Sequence, residues 1–321
     1  MRAAVLSELG ATPLLQERPA SALGDGQALL EVLATPLNPI DVAVASGRHY
    51  AGHPALPYVP GVETVARVLE SRRHAAGTVV WLGLTGIGID RDGALTDRLI
   101  ADDDDLVIVP DGADPALAAA LGVAGMAGWL PVAWRAPVQA GETVLVLGAT
   151  GTVGLVALQG ARALGAGRVV AAGRDADRLC ATLDLGADAV VLLSEPDLAA
   201  ALRDACGPDG PALVIDPVWG TPLEAALDVA ATGARIVNLG QSAGATATVS
   251  SAAVRGKQLD LLGFSDFAVP PAVWRQQYAT LMDHASAGRI HVDLERIPLA
   301  EIGTAWERQR DGPGAKLVLV P

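Results

Sequence analysis

Hydrophobic and polar residues follow two different patterns along the chain, and the change from one to the other lies near residue 143. Before it, short apolar runs are separated by turns rich in proline, glycine and charge, as in a barrel-like all-β unit. These runs predict strands at residues 3–6, 27–34, 64–69, 78–82 and 106–109. One helix is predicted at residues 39–46, with Gly47 as its C-terminal cap.

From residue 143 onward the pattern predicts strands that alternate with helices. Strands are predicted at residues 143–147, 168–172, 189–193, 213–216, 235–239 and 258–263, and helices at 155–164, 176–185, 198–206 and 222–231. Such alternation is typical of a doubly wound parallel sheet with right-handed crossovers. An alanine- and leucine-rich stretch at residues 115–134 predicts a helical bridge, and the tail predicts helices at 271–287 and 299–310 among short strands.

The stretch from residue 143 to residue 154 carries the clearest functional signal. A buried strand is followed by Gly148, Gly151 and Gly154 and then by a helix. In a dinucleotide site the first glycine allows the tight turn, the second admits the pyrophosphate, and the third lets the helix pack on the strand. Amides at the helix start, together with the helix dipole, favour the anion. We therefore expect a dinucleotide to bind at Gly148, Ala149, Thr150, Gly151, Thr152 and Val153.

The end of the second α/β strand indicates which coenzyme binds. An NAD-specific site places an acid here, about 20 residues after the glycines, whereas this chain reads Gly173, Arg174, Asp175. A guanidinium matches the charge and geometry of a 2′-phosphate, which favours NADPH over NADH. We interpret Asp175 as the N-cap of the next helix, with a ribose contact as the alternative.

A second glycine-bearing turn occupies residues 238–244, directly after the strand at 235–239. Ligands of open α/β sheets bind at the carboxyl ends of the strands. We therefore expect Leu239, Gly240 and Gln241 to contact the coenzyme, with an ordinary loop as the alternative.

Composition narrows the class of protein. The 321 residues, 51% of them hydrophobic, suffice for two domains with large cores. A net charge of −13 argues against nucleic acid or an anionic membrane as partner. The acidic run at residues 102–105 is interpreted as a solvated turn rather than a metal site. Two cysteines, no long apolar run and no signal-like N-terminus lead us to expect a cytoplasmic protein.

Five short motifs recur in an order that identifies a family. They are Asn-Pro-Ile-Asp at residues 38–41, Pro-Gly-Val-Glu at 60–63, the glycine block at 141–154, the loop at 238–244 and Gly-Ala-Lys-Leu-Val-Leu at 314–319. Their order and spacing resemble the medium-chain dehydrogenase/reductase superfamily, in its zinc-free, quinone oxidoreductase-like branch. The resemblance implies an α/β protein with a GroES-like β-rich catalytic domain (residues 1–122 and 268–321) and a Rossmann doubly wound parallel-sheet domain (residues 123–267).

The same resemblance implies a reaction and a set of partners. The expected activity is NADPH-dependent hydride transfer to a quinone, enone or other activated carbonyl or alkene, by a homodimer. Zinc-dependent relatives use a cysteine within residues 38–41 and a histidine between Gly61 and Glu63, where this chain has Asn38 and Val62. The resemblance therefore implies no metal. Without a Lewis acid a polarised acceptor is favoured over alcohol oxidation, which needs a base or metal to remove the hydroxyl proton.

Active-site candidates also follow from the resemblance. Asn38 is expected to hold the nicotinamide ribose or a substrate carbonyl, with a turn residue as the alternative. Tyr50 is a candidate proton donor or pocket wall, and Lys316 is expected to reach the cofactor, with a surface lysine as the alternative. Phe264 and Phe267 are expected to wall the substrate pocket.

Asp41 is interpreted as the N-cap of the short helix, and His49 and His53 are weaker candidates for the proton donor. Two departures leave the substrate open. Relatives carry Thr-Ala-Tyr where this chain reads Ala-Gly-Trp at residues 127–129, and Gly-Asp-Arg-Val where it reads Ala-Gly-Thr-Val at 76–79. An enoyl reductase acting on a polyketide-like intermediate, a zinc-free ketone reductase or alcohol dehydrogenase, and a non-catalytic NADPH-binding protein therefore stay as alternatives.

Overall fold

The computed structural model describes residues 1–19 and 22–321, which form two compact units, Met1–Ala124 with Val292–Pro321 and Gly125–His291. The strands are β1 (Arg2–Val5), β2 (Leu14–Glu17), β3 (Gln27–Pro36), β4 (Glu63–Glu70), β5 (Val79–Gly83), β6 (Arg98–Asp102), β7 (Val107–Ile108), β8 (Thr143–Leu147), β9 (Arg168–Gly173), β10 (Ala189–Leu192), β11 (Leu213–Asp216), β12 (Arg235–Asn238), β13 (Asp260–Gly263), β14 (Leu294–Pro298) and β15 (Lys316–Val320). The helices are α1 (Pro39–Ala45), α2 (Pro115–Ala120), α3 (Val123–Leu130), α4 (Thr152–Ala163), α5 (Ala176–Asp184), α6 (Leu198–Cys206), α7 (Gly220–Val229), α8 (Ser251–Lys257), α9 (Pro271–Ser286) and α10 (Ile302–Asp311). Within these described ranges no helix has both the length and the apolar composition needed to cross a bilayer.

The first unit is built on a mixed sheet to which both ends of the chain contribute. Its strands follow the order β14-β15-β3-β4-β5-β7, and β6 also pairs with β3. The C-terminal strand β15 lies antiparallel to β3, with Val318 opposite Pro36. Along β3 every second residue is buried over most of its length, so one face of the strand supplies the core. The tail of the chain is therefore part of this unit.

The second unit contains a six-stranded parallel sheet in the order β10-β9-β8-β11-β12-β13. Counted within the unit this is the order 3-2-1-4-5-6, that of doubly wound dinucleotide-binding sheets. The interior of β8, from Val144 to Leu147, is fully buried, as expected for a strand covered on both faces. Separate apolar clusters lie on the two faces, one packed under α4 and the other under α6 and α7. The predicted α/β class is confirmed.

The boundary between the units differs from the predicted one, because residues 268–291 belong to the second unit. Gln277 of α9 accepts a hydrogen bond from the indole N–H of Trp129 at 2.8 Å. Gln159 of α4 donates to the His291 carbonyl and accepts from its N–H, both at 2.8 Å. These partners lie 148 and 132 positions apart in the chain. Contacts between residues so far apart cannot be predicted from local sequence patterns.

Local structure departs from the sequence prediction at a few other places. The predicted bridge consists of α2, α3 and a π-helical turn at Pro131–Arg135. β2, β6 and α8 were not predicted. The acidic run does form a turn, a 3₁₀ helix at Asp103–Asp105, but Asp103 is buried and its carboxylate accepts a 2.6 Å hydrogen bond from the Ser71 hydroxyl. The prediction that the run is fully solvated is therefore wrong at Asp103.

Candidate active site

The glycine turn after β8 combines a tight backbone with one open position. Gly148 has a φ of +62°, which favours glycine. A Cβ on Gly154 would lie 2.3 Å from the Gly148 carbonyl oxygen, so no side chain fits there. A Cβ on Gly151 would find nothing closer than 3.9 Å. The backbone around Gly151 is therefore open to a ligand, while Gly154 brings α4 close to the turn.

The start of α4 presents free amides beside this opening. The Leu155 N–H donates to the Gly151 carbonyl at 2.8 Å, and the amides that precede it belong to the first turn, where helical partners do not exist. The Ala149 N–H donates to the Ala172 carbonyl at 2.9 Å, which ties the turn to β9. Thr152 and Val153 are half-buried at the helix start. This cradle fits the pyrophosphate of a dinucleotide.

Two guanidinium groups lie next to the end of β9. Gly173 is buried, and a Cβ there would come within 3.2 Å of the Thr150 methyl carbon. Arg174 follows it and is exposed. The Arg178 guanidinium donates to the Thr150 carbonyl at 2.6 Å. Sequence reasoning missed Arg178, although its spacing of four from Arg174 places both near the same end of α5.

Asp175 caps α5, because its carboxylate accepts a hydrogen bond from the Arg178 N–H at 3.1 Å. The N-cap interpretation is confirmed.

The loop after β12 is anchored to the end of β11. The Asn238 amide donates to the Gly240 carbonyl at 2.8 Å and to the Asp216 carboxylate at 3.1 Å. A Cβ on Gly240 would lie 2.4 Å from the Pro217 carbonyl oxygen, so the loop passes too close for a side chain. Leu239 is half-buried and Gln241 is exposed. Because β8, β11 and β12 are parallel, the turns that follow them meet at one edge of the sheet.

The two predicted pocket phenylalanines have different environments. The Phe264 N–H donates to the Asn238 carbonyl at 2.9 Å, and its ring packs against the apolar cluster under α4. Phe267 is 41% exposed. A cavity of about 360 Å³ lies elsewhere, along β10, and is lined by Leu179, Cys180, Val191 and their neighbours but by none of the predicted site residues.

In the first unit a buried chain of polar side chains centres on Asn38, which is 2% exposed. Its amide nitrogen donates to Glu63 at 2.8 Å, and its amide oxygen accepts from the Lys316 ammonium at 2.5 Å. Lys316 also donates to the Leu37 carbonyl at 2.9 Å and is only 5% exposed, so it is not a surface lysine. The structure thus brings two predicted site residues together, but each is already bonded within the unit.

Glu63 lies at the other end of this hydrogen-bond network. Its second oxygen accepts from the Trp81 indole N–H at 2.9 Å and from the Val123 backbone N–H at 2.8 Å. A Cβ on Gly122 would lie 1.9 Å from that oxygen, so glycine is required for the approach. Burial raises the pKa of Glu63, and these donors together with the Lys316 charge oppose the rise. Glu63 closes the Pro-Gly-Val-Glu motif at residues 60–63, but nothing in that motif indicates this role.

Asp41 lies beside the same cluster. Its carboxylate accepts from the Asn38 N–H at 2.7 Å and from the Val62 N–H at 3.0 Å. It occupies the third position of α1, so the N-cap prediction is wrong: Asn38 is the N-cap, and Asp41 reaches back to it as in a capping box. Burial raises the pKa of Asp41 to about 7, against the N–H donors and Lys316. Burial in turn lowers the pKa of Lys316.

The remaining candidates of the first unit lie outside this cluster. Tyr50 is 86% exposed, and its ring centroid is 4.5 Å from that of His49. His53 is exposed, and its ring bonds to the Pro54 carbonyl at 2.8 Å. Neither Tyr50 nor the histidines belong to the buried network. A surface group of this kind can exchange protons with water, which the buried cluster cannot do directly.

The chain is similar to several known proteins. A family model described as "Zinc-binding dehydrogenase" matches residues 152–286. Quinone oxidoreductase-like protein 2 of Rattus norvegicus is 30% identical over 297 residues, which cover 90% of this chain and 83% of that protein. Quinone oxidoreductase of Homo sapiens is 27% identical over 326 residues, covering 100% of this chain and 98% of that protein. The quinone oxidoreductase from Thermus thermophilus, solved also in complex with NADPH, has a TM-score of 0.81 at 26% identity, covering 100% of both chains.

The zinc in the name of the family model does not fit the residues of this chain. The Val62 side chain has no donor atom and is buried, and its N–H is bonded to Asp41. Both polar atoms of the Asn38 amide are bonded, one of them to the ammonium of Lys316. Across residues 1–19 and 22–321 no three His, Cys, Asp or Glu side chains are grouped to hold a metal ion.

The raised pKa of Asp41 predicts a pH-dependent stability. Folded Asp41 keeps its proton up to about pH 7, whereas the unfolded chain releases it near 3.8. The folded state therefore binds more protons across this window, and the free energy of unfolding falls as pH rises, by up to about 1.4 kcal/mol per pH unit. Urea unfolding at several pH values measures the fall.

Asp41→Asn is the control for this prediction, because it removes the titration while Lys316 and Glu63, the other charged groups of the cluster, stay in place. The variant is expected to be less stable at low pH and to show a flatter pH dependence than the wild type. An unchanged slope in Asp41→Asn would assign the effect to another group.

Proposed function

Because the chain belongs to the medium-chain dehydrogenase/reductase superfamily, in its quinone oxidoreductase-like branch, we propose that this oxidoreductase is an NADPH-dependent reductase of quinones, enones or related activated carbonyls and alkenes. The observation that carries the proposal is the glycine turn on the first strand of a parallel sheet, with two arginines at the end of the next strand. In support, the Thermus thermophilus relative was solved with NADPH, and the human relative is named quinone oxidoreductase.

In this proposal different residues of the second unit bind different parts of NADPH. The free amides at the start of α4, those of Thr152 and Val153, hold the pyrophosphate beside the open backbone at Gly151, and Arg174 pairs with the 2′-phosphate. Arg178 keeps the turn in place through its bond to the Thr150 carbonyl. The loop of Leu239, Gly240 and Gln241 holds the nicotinamide half. NADPH, when bound, supplies the hydride.

The first unit holds the other candidate side chains. Lys316 and Glu63 fix the amide of Asn38, and Asp41 fixes the backbone at Val62. In this proposal Lys316 acts through Asn38 rather than by reaching the coenzyme. A quinone or enone is already polarised, so holding it at the correct distance supplies most of what the reaction needs. Tyr50, exposed to water, is the candidate proton donor.

We also infer a homodimer formed through the outer edge of β13. β13 is the last strand of the parallel sheet, and Leu261 on it is 42% exposed. An apolar strand edge of this kind invites pairing with a second copy. Sedimentation of wild type and Leu261→Asp measures it: a dimer that becomes monomeric is expected, and a wild-type monomer would contradict the inference.

Two glycine substitutions separate coenzyme binding from folding. Gly151→Ala places a methyl group in open space, so thermal stability should change little while NADPH binding weakens roughly tenfold or more through lost phosphate contacts. Gly154→Ala drives a methyl group against the Gly148 carbonyl and should cost about 1–3 kcal/mol of stability. Calorimetric titration and thermal melting measure the two effects. Normal NADPH affinity in Gly151→Ala would contradict the proposed pyrophosphate site.

Coenzyme choice depends on Arg174. Arg174→Ala should raise the KM for NADPH roughly tenfold, since a charge-assisted bond to phosphate is lost, and leave the KM for NADH unchanged. Arg178→Ala is the control, because loosening the turn at Thr150 should affect both coenzymes alike. Equal changes for the two coenzymes in Arg174→Ala would reject its phosphate role.

Stopped-flow mixing of the protein and NADPH with quinones, enones, ketones and aldehydes tests the reaction itself. Rapid loss of NADPH absorbance with quinones or enones is the expected result. Turnover confined to simple ketones or aldehydes would favour the ketone reductase alternative. Tight NADPH binding without oxidation by any acceptor would show a protein that binds the coenzyme without turning it over.

A further inference from the structure

The backbone at Trp219 adopts a conformation that residues other than glycine rarely adopt. Its φ is +59° and its ψ is −164°, at the border of a region populated almost only by glycine. Trp219 stands between the end of β11 and the start of α7. A bulky residue keeps such a conformation only where its surroundings enforce it, and strain of this kind concentrates at functional sites.

The bonds that enforce the conformation can be identified. The buried Asp216 carboxylate accepts from the Val218 N–H at 3.0 Å and from the Trp219 N–H at 2.8 Å. The Val218 carbonyl accepts from the Ala243 N–H at 2.7 Å. The other Asp216 oxygen accepts from the Asn238 amide at 3.1 Å. The turn is therefore held at both ends, by its own strand and by the loop after β12.

This turn touches both of the proposed coenzyme turns. A Cβ on Gly148 would lie 3.0 Å from a Val218 methyl carbon, and one on Gly220 would lie 3.3 Å from the Ala243 carbonyl oxygen. Since Arg174 follows β9, the adenosine half lies on the β9 side of β8. The nicotinamide half must then lie over β11 and β12. Trp219 follows β11 and is thus on the nicotinamide side.

The indole of Trp219 is more exposed than the side chains of most tryptophans in this protein. Trp81, Trp129, Trp274 and Trp306 are at most 4% exposed. Trp219 is half-buried and packs against the apolar cluster under α6 and α7. Part of its surface is therefore fixed by the core while part remains open. A rigid, partly open aromatic ring is a suitable stacking surface for a planar heterocycle.

We propose that Trp219 contacts the nicotinamide half of the bound coenzyme, and that the strained turn serves to present its indole there. The inference rests on the proposed function, and it assigns the residue that places the reactive ring. Asp216 is the positioning residue behind it, since its carboxylate fixes the Trp219 N–H.

Three variants and two ligands test the proposal. Trp219→Phe keeps an aromatic ring and the strain, Trp219→Ala loses the ring but keeps the strain, and Trp219→Gly loses both. Calorimetric titration uses NADPH and adenosine 2′,5′-bisphosphate, which represents the adenosine half alone. Trp219→Ala and Trp219→Gly are expected to bind NADPH roughly tenfold more weakly than wild type, the scale of one aromatic stacking contact. Trp219→Phe should bind it nearly as well as wild type.

All four proteins should bind adenosine 2′,5′-bisphosphate alike, because that ligand lacks the nicotinamide ring. Trp219→Gly should melt at a higher temperature than Trp219→Ala, because only glycine relieves the strain. Wild-type NADPH affinity in Trp219→Ala and Trp219→Gly would overturn the proposal. So would a parallel loss of both ligands, which indicates a collapsed turn. A wild-type protein that binds no NADPH would remove the proposed function as well, whereas unaffected variants of a binding protein remove this inference alone.

Discussion

Parallel pairing of β8 with β9 and β11 is the constraint on which the rest of the second unit depends. Parallel strands need crossover helices, and here those helices bury both faces of the sheet under two apolar clusters. The same pairing forces the carboxyl ends of the strands to one edge. Parallel pairing alone therefore brings together the glycine turns, the two arginines and the turn at Asp216. No further sequence feature is needed to place them at the same edge. Close packing at Gly148 and Gly154 holds the turn in one conformation, and the backbone at Gly151 between them stays open to a ligand.

A different constraint governs the first unit, namely the cost of burying charge. Asp41, Glu63 and Lys316 lie in its interior, where desolvation opposes the charged form of each. Each is stabilised by several hydrogen bonds, and Asn38 connects Glu63 to Lys316. Removing one partner of such a cluster leaves another unpaired, which costs more than the pair contributes. The cluster therefore fixes Val62 and Glu63 and joins the start of α1 to the C-terminal strand β15.

The two units thus use rigidity for different ends. In the first unit both polar atoms of the Asn38 amide are held, by Glu63 and by Lys316, which fixes the orientation of this side chain. In the second unit a carboxylate, Asp216, holds a tryptophan in a conformation suited to glycine. A structure that maintains such a residue loses stability locally, and a ligand surface is the compensating role that the geometry indicates.

The sequence by itself determined the class of fold and the positions of the glycine turns at which we propose that the coenzyme binds. Both depend on short-range signals: apolar runs of strand length, glycines at fixed spacing, and a capping aspartate at Asp175. It did not determine the roles of Lys316, Glu63 and Asp216, because their partners lie as far as 279 positions away and burial depends on the whole unit.

Tertiary structure alone also decided that residues 268–291 pack with the second unit, that Asp103 is buried, and that Trp219 is strained. Propensity places a tryptophan in a core or at a rim, but the φ of one residue follows from the hydrogen bonds around it. Turns and helix caps depend on residues that are neighbours in the sequence. Desolvation, backbone strain and long-range hydrogen bonds arise only in the folded structure.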